Sequence, residues 1–263
     1  MNAMDSASQP ASQPPSQPND RRIQVAQTEL SDRTKGKVQK YTELVVGRPG
    51  LLALMLHELV MFWAWVPGAL GLFVRAKLYP LVLGACGRNV TFGQNVVLRH
   101  PHKIRIGNDV VVDDNVLLDA KGIDNSGIIL DDGVFIGRNT IFSCKNGDIH
   151  LEERANIGFN CEIFSADKIR VGKDVMLAAY VYLVGGDHMH DRLDIPVSQQ
   201  GRIGLPITIG DGCWLGAHAV VAGGVDVGDH AIIGAGAVVL EKIPAYHIAA
   251  GVPAKPLRDR RDK

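Results

Sequence analysis

Residues 206–241 read PITIGDGCWLGAHAVVAGGVDVGDHAIIGAGAVVLE. An aliphatic side chain returns at every sixth position, through Ile209, Leu215, Val221, Val227, Ile233 and Val239. A small residue follows five of these six (Gly210, Gly216, Ala222, Gly228 and Gly234), and only Leu240 after Val239 departs. An α-helix repeats about every 3.6 residues and a flat strand every second one, so neither produces a strict six with glycine in phase. A coil of three short strands does. Each hexad becomes one side of a triangular prism, its aliphatic residue pointing inward and the small residue beside it easing the turn at the corner.

The same step recurs upstream in triplets: Ile106, Val112 and Leu118; Leu130, Ile136 and Phe142; Leu151, Ile157 and Ile163; Val171, Leu177 and Leu183. Coils stacked about 4.8 Å apart give roughly seven turns and a prism about 30–35 Å tall. The fold class is therefore all-β, a parallel β-helix. One interruption is long: the hexads pause between Leu183 and Ile209, and the stretch between reads VGGDHMHDRLDIPVSQQGRIGLP (184–206). A loop of that length on a rigid repeat is usually functional. It carries His188 and His190, and histidine is the natural general base near neutral pH.

Residues 51–74, LLALMLHELVMFWAWVPGALGLFV, are apolar at nineteen of 24 positions, with only His57 and Glu58 ionisable. That length approaches a bilayer span, but Pro67-Gly68 breaks it and Arg75 and Lys77 follow. The segment suits either an interfacial anchor with Trp63 and Trp65 at headgroup depth, or a helical hairpin capping one end of the repeat stack. Before it, residues 1–20 are rich in Ser, Pro and Gln and are expected to be disordered. A short amphipathic helix is expected around Ile23–Val46. The chain thus divides into a tail (1–20), a helical apolar region (21–86) with membrane-surface contact expected through 51–85, the β-helix (87–258) and a charged tail (259–263).

Lys plus Arg, 28, cancels Asp plus Glu, 28, so no global field favours nucleic acid. Cys86, Cys144, Cys161 and Cys213 are scattered without a CxxC, which argues against a disulfide scaffold and a structural zinc. No basic-then-apolar signal follows Met1, so a cytoplasmic location is expected, at the inner face of a membrane where the apolar segment meets lipid.

The repeat, together with the ending Pro206–Arg258, resembles the hexapeptide-repeat acyltransferases, in particular the maltose and galactoside O-acetyltransferases. The block Phe92–Gly122 is similar to relatives associated with cell-surface polysaccharide assembly. The resemblance implies a left-handed coil, a homotrimer, and acetyl-CoA as co-substrate in the groove between adjacent prisms, with a sugar or glycan as acceptor. In that family the base sits sixteen residues after the glycine of a Val/Ile-Gly hexad, which from Gly172 reaches His188, and Pro196 matches the family's following proline. His190 is the rival, and both could instead stabilise the loop. Asp187, Asp191, Asp194 and Glu162 are candidates to orient the imidazole. The same resemblance assigns Ala217 and Ala235 to the pantetheine arm and thioester, and Lys255 and Arg258 to the coenzyme phosphates. The usual Thr-Lys-Asp is Leu240-Glu241-Lys242 here, so Lys242 supplies a phosphate contact or that contact is lost. His218 and His230 read as turn residues. The cluster Arg99–Lys103 reads as a corner that would also suit an anionic acceptor. No metal is expected, since no HxxxxH pair is present. Transfer to an amine would keep most of these residues. A non-catalytic scaffold would need neither base nor phosphate site.

Overall fold

The computed structural model describes residues 33–262. The tail expected over 1–20 and most of the N-terminal part of the expected Ile23–Val46 helix lie outside them. Within the described part, helix α1 (Lys37–Tyr41) runs on into a wider turn over Thr42–Val46. Helices α2 (Leu51–Phe62) and α3 (Gly68–Leu78) follow, separated by the break at Pro67.

From Ala85 the chain winds as a left-handed parallel β-helix. Its first face stacks seven strands, from Ala85–Cys86 through Ile207–Ile209 to Asp226–Val227. The second face begins at Thr91–Phe92 and ends with the antiparallel pair His247–Gly251 and Ala254–Asp259. The third runs from Val97–Arg99 to Val238–Val239. Register places Ile209 on Val227 and Val171, Leu215 on Ile233 and Leu177, and Val221 on Val239 and Leu183. The aliphatic residue of each hexad therefore stacks on its counterpart one coil away, and this column is buried throughout. Burying each such side chain contributes about 1.5–3 kcal/mol before entropy is counted.

A second inward column lies two residues earlier and is chemically mixed: Val110, Val134, Ala155, Cys161, Val175, Cys213 and Ala231 are all buried. This accounts for two of the cysteines as small core residues. Burial pushes the thiols of Cys161 and Cys213 up to about 11, which makes them poor nucleophiles.

The small residue after the inward aliphatic serves close approach between coils rather than the turn itself. A Cβ on Gly228 would lie 2.4 Å from the Ala245 backbone nitrogen of the next coil. The left-handed residue comes two positions later, and it is often Asn, Asp or His: Asn115, Asn139, Asn160, Asp174, His218 and His230 all have φ between 55° and 61°. These types tolerate that conformation best among residues with a side chain.

The apolar N-terminal region caps the first coil. Val60, Ala64, Tyr79 and Leu83 are buried against its interior. The carbonyls at the open end of the stack are met by side chains: Arg75 Nε donates to Phe92 O (3.0 Å), Tyr79 Oη to Val96 O (2.7 Å), and His57 Nε2 to Leu98 O (3.2 Å). Arg75 also donates to Val66 O and Ala64 O. So Arg75, expected to follow an anchor, is turned inward and buried. The opposite face of α2 and its continuation leaves Leu52, Met55, Leu59, Phe62, Trp65 and Phe73 exposed, whereas Trp63 is half-buried.

Candidate active site

The strand Tyr182–His188 has seven residues, while most of the others have two to four. It pairs with the third face through Gly185, then leaves the prism and turns back as an antiparallel ribbon with Arg202–Gly204. Gly186 faces Gly204, Asp187 faces Ile203 and His188 faces Arg202. The tip is held by Gln200, whose amide donates to Arg192 O and Ile195 O, and by the bidentate Arg192–Asp194 pair.

His188 is the outermost paired residue of this ribbon on its strand, is half-buried, and lines a cavity of about 270 Å³. Phe164 and Tyr182 form one wall, their rings edge-to-face at 5.8 Å. Ala166 and Gly186 form a bare floor, and Lys145 and Arg202 complete the rim. The Nδ1 of His188 is enclosed and has no hydrogen-bond partner among the described residues. His190 does not line the cavity. Its ring is exposed, and its Nδ1–H donates to the His188 carbonyl at 3.0 Å. That bond, and then the carboxylate of Asp191, raises the His190 pKa.

None of the four candidate carboxylates is hydrogen-bonded to the His188 ring. Asp187 accepts the backbone N–H of His188 (2.7 Å) and so fixes the chain rather than the imidazole. Asp194 is occupied by Arg192, and Glu162 stands opposite Tyr182, six residues back along the strand. Asp191 makes no hydrogen bond to the ring.

Ala217 and Ala235 lie at a different corner, between the second and third faces. Leu215 registers on Leu177 and Ile233, so Ala179, Ala217 and Ala235 fall at equivalent positions in three coils. Backbone hydrogen bonds tie them together: His218 N–H to Ala179 O (3.1 Å) and Gly236 N–H to Ala217 O (2.8 Å). A Cβ on Gly236 would meet nothing within 4 Å, so this ledge faces open space. Beside it the rings of Tyr180 and His218 stack, with centroids 4.7 Å apart. His188 leaves from the corner between the third and first faces. The imidazole and the alanine ledge of one chain are thus separated by a whole side of the prism.

Lys255 and Arg258 stand on the last strand, opposite Ala250 and Ile248. Lys255 Nζ donates to Glu241 Oε2 at 2.9 Å, both side chains largely exposed, whereas Arg258 is exposed with no ion pair among the described residues. His218 and His230 are left-handed corner residues, stacked on Tyr180 and Tyr246. The cluster Arg99–Lys103 is spent within the fold. His100 bonds Glu43 O, Lys103 Nζ donates to Gly122 O and Asn125 Oδ1, and Arg99 reaches Asp119. Among the described residues no group of three His, Cys, Asp or Glu side chains is placed to hold a metal.

Lys145 and Arg202 are absent from the residues singled out by sequence. They are 57 positions apart (145 to 202), and only the stacking of coils joins them.

Residues 206–241 match the bacterial transferase hexapeptide (six repeats) family. The galactoside O-acetyltransferase of Escherichia coli is 34% identical over 125 residues, covering 47% of this chain and 60% of that protein. The putative colanic acid biosynthesis acetyltransferase WcaF of Escherichia coli is 30% identical over 134 residues, covering 49% and 70%. The chain spans between 43% and 62% of the length of the first curated relatives it matches. Among solved structures, a point mutant of AntD, an N-acyltransferase from Bacillus cereus in complex with dTDP and coenzyme A, shares the fold. Its TM-score is 0.50 at 17% identity, over 72% of this chain and 90% of that one.

Proposed function

Since the chain belongs to the hexapeptide-repeat acetyltransferases, we propose that it moves an acetyl group from acetyl-CoA to a sugar hydroxyl, with His188 as general base. The observation that carries this reading is the imidazole of His188, held by a ribbon against an aromatic-walled cavity at one corner of the prism. In the reaction the hydroxyl gives its proton to the imidazole as its oxygen bonds to the thioester carbon. The tetrahedral oxyanion then collapses, the carbon–sulfur bond breaks, and the thiolate recovers the proton. General-base assistance of this kind contributes roughly 10²–10⁴-fold.

Ala179, Ala217 and Ala235 would receive the pantetheine arm, since small residues there leave the backbone accessible, and Lys255 and Arg258 would face the phosphates. The separation of this ledge from His188 supports a homotrimer, in which one copy's ledge faces the next copy's imidazole. Exposed Phe159, Met176, Tyr180 and Trp214 around the ledge are suited to such a contact. We place the acceptor in a nascent polysaccharide or glycolipid at the cytoplasmic face of a membrane. Similarity to a colanic acid biosynthesis relative supports this, as does the exposed apolar face of α2. No single helix among the described residues is long and apolar enough to cross a bilayer, and one bent pair, Lys37–Val46 with Leu51–Phe62, passes by length and composition together; the contact we propose is a surface one.

The deciding experiment is CoA release from acetyl-CoA against sugars, nucleotide sugars and oligosaccharides, with wild type beside His188→Ala. We expect a loss of about 10²–10⁴ in kcat with acetyl-CoA binding retained. Near-normal turnover in the variant would end the assignment, and absence of acetyl-CoA binding in the wild type would end the proposal.

A further inference from the structure

We infer that the acceptor is an anionic sugar, bearing a phosphate or a carboxylate, and that Lys145 and Arg202 receive that charge beside His188. This names the acceptor class for the transfer proposed above and rests on it.

The register of the third face builds the site. Cys144, Ser165 and Gly185 stack in three successive coils, so Lys145, Ala166 and Gly186, each one residue further, occupy equivalent positions at the same corner. Ala166 and Gly186 carry almost no side chain, and the space above Lys145 is the cavity that His188 lines. Fuller side chains at these two positions would fill it; a Cβ on Gly186 would already stand 2.8 Å from the Ala166 Cβ. Arg202 faces His188 directly across the ribbon. Directly opposed residues of an antiparallel pair project from the same face, so guanidinium and imidazole serve one space.

The charge in this space is only partly neutralised from within. One coil below, Asp119 is taken up by its contacts with Arg99 (3.5 Å) and Lys121 (3.7 Å). Lys145 forms no ion pair among the described residues and instead lies 5.7 Å from the centre of the Phe164 ring. Neither does Arg202. Burial, followed by the neighbouring charge of Lys121, lowers the Lys145 pKa, a cost that an entering anion would reverse. The carboxylate on this rim, Asp187, accepts the His188 backbone N–H and forms no ion pair with either cation among the described residues, so the lining keeps one positive charge in excess. A neutral sugar would leave two cations unpaired at the reacting hydroxyl, so the site selects by charge as well as shape. Phe164 and Tyr182 meanwhile offer an apolar wall for the face of the ring.

The test uses the full chain and three probes, glucose, glucuronate and glucose 1-phosphate, titrated calorimetrically, with acetyl-CoA titrated on the same preparations. The expected result is that a charged probe binds about tenfold or more tightly than glucose, and that the double variant Lys145→Gln, Arg202→Gln loses this preference. Affinity for acetyl-CoA and particle size by light scattering stay unchanged. The glucuronate and glucose 1-phosphate arms separate a uronic acid from a phosphorylated acceptor. Arg202→Gln alone, on an exposed ribbon, weakens the charged probe about threefold and leaves the coil intact, which covers misfolding of the double variant. The inference is overturned if charged and neutral probes bind alike, if no probe binds, or if the variant dissociates the assembly and so reveals a subunit contact. Acetyl-CoA binding without a charge preference sinks this inference alone. A charge preference without acetyl-CoA binding sinks the transfer reading instead.

Discussion

The side-chain amide of Asn139 donates to the side-chain oxygen of Asn160, one coil away, at 3.0 Å. Asn95 donates to Asn115 and Asn115 to Asn139 in the same manner, each at 3.2 Å, so one corner of the prism carries a ladder of asparagines. Asn139 also stands at φ +60°. Asn139→Ala therefore loses two ladder bonds and places a Cβ-bearing residue without local compensation in the left-handed region, together about 1–3 kcal/mol. Asn139→Gly loses the same bonds without the backbone penalty and should be milder. Denaturant midpoints compare the three proteins, and equal midpoints for Ala and Gly would remove the backbone part of the account.

Arg75 holds three carbonyls, on Phe92, Val66 and Ala64, whereas Tyr79 holds one, on Val96. Removing a donor from a buried carbonyl costs about 1–3 kcal/mol. Arg75→Met should then destabilise the cap by about 3 kcal/mol or more, and Tyr79→Phe by about 1 kcal/mol. Thermal unfolding and limited proteolysis near residue 85 read both. If Tyr79→Phe proves the more damaging, the capping role of Arg75 fails.

Much of this architecture was legible because the inward aliphatic column uses one residue class at one spacing. The first coil is harder to read in the sequence because its column is Cys86, Phe92 and Leu98, of which only Leu98 is aliphatic, although register places them on Ile106, Val112 and Leu118. The second inward column is harder to read because Ile, Val, Ala, Cys and Thr share it, with no chemistry in common beyond small or branched shape. His188 was visible through the length of the interruption that carries it. What lies around it was not. Lys145 and Phe164 come from two successive coils and Arg202 from the ribbon, and no sequence spacing brings them together. The cap's inward Arg75 was equally hidden, because a basic residue after an apolar helix reads the same whether it faces water or a carbonyl.

Acid should loosen the joint between the N-terminal segment and the first coils. His100 Nε2 donates to Glu43 O at 2.9 Å, and the enclosed Nδ1 of His102 has no partner among the described residues. Gly47, at φ +74°, passes so close that a Cβ there would lie 2.5 Å from His100 Cγ. Desolvation lowers the His102 pKa to about 4, with Arg48, His100 and Lys103 acting in the same direction, and burial lowers His100 as well. Above about pH 6.5 both folded and unfolded chains keep His102 neutral. Between there and about 4 only the unfolded chain takes the proton, so stability falls as pH falls across that window and levels off below it. Melting temperatures across the window should decline in the wild type and decline less in His102→Gln. Parallel curves would assign the acid response to other groups.

Glu241 takes the middle place of the Thr-Lys-Asp that the family resemblance leads one to expect, and its carboxylate accepts from the Lys255 ammonium at 2.9 Å. If Lys255 faces the coenzyme phosphates, that exposed pair competes with them. An exposed pair of this kind is worth about 0.2–1 kcal/mol. Glu241→Gln frees the ammonium and removes a negative charge, so it should tighten acetyl-CoA binding about two- to fivefold, more at low salt than at high. Lys255→Gln should weaken binding in the wild-type background and abolish the gain in the Glu241→Gln background, because the gain passes through Lys255. Calorimetric titration of acetyl-CoA into the four proteins of this cycle gives the coupling directly. If Glu241→Gln tightens binding equally with and without Lys255, its carboxylate acts by general repulsion, and Lys255 has no place at the phosphates.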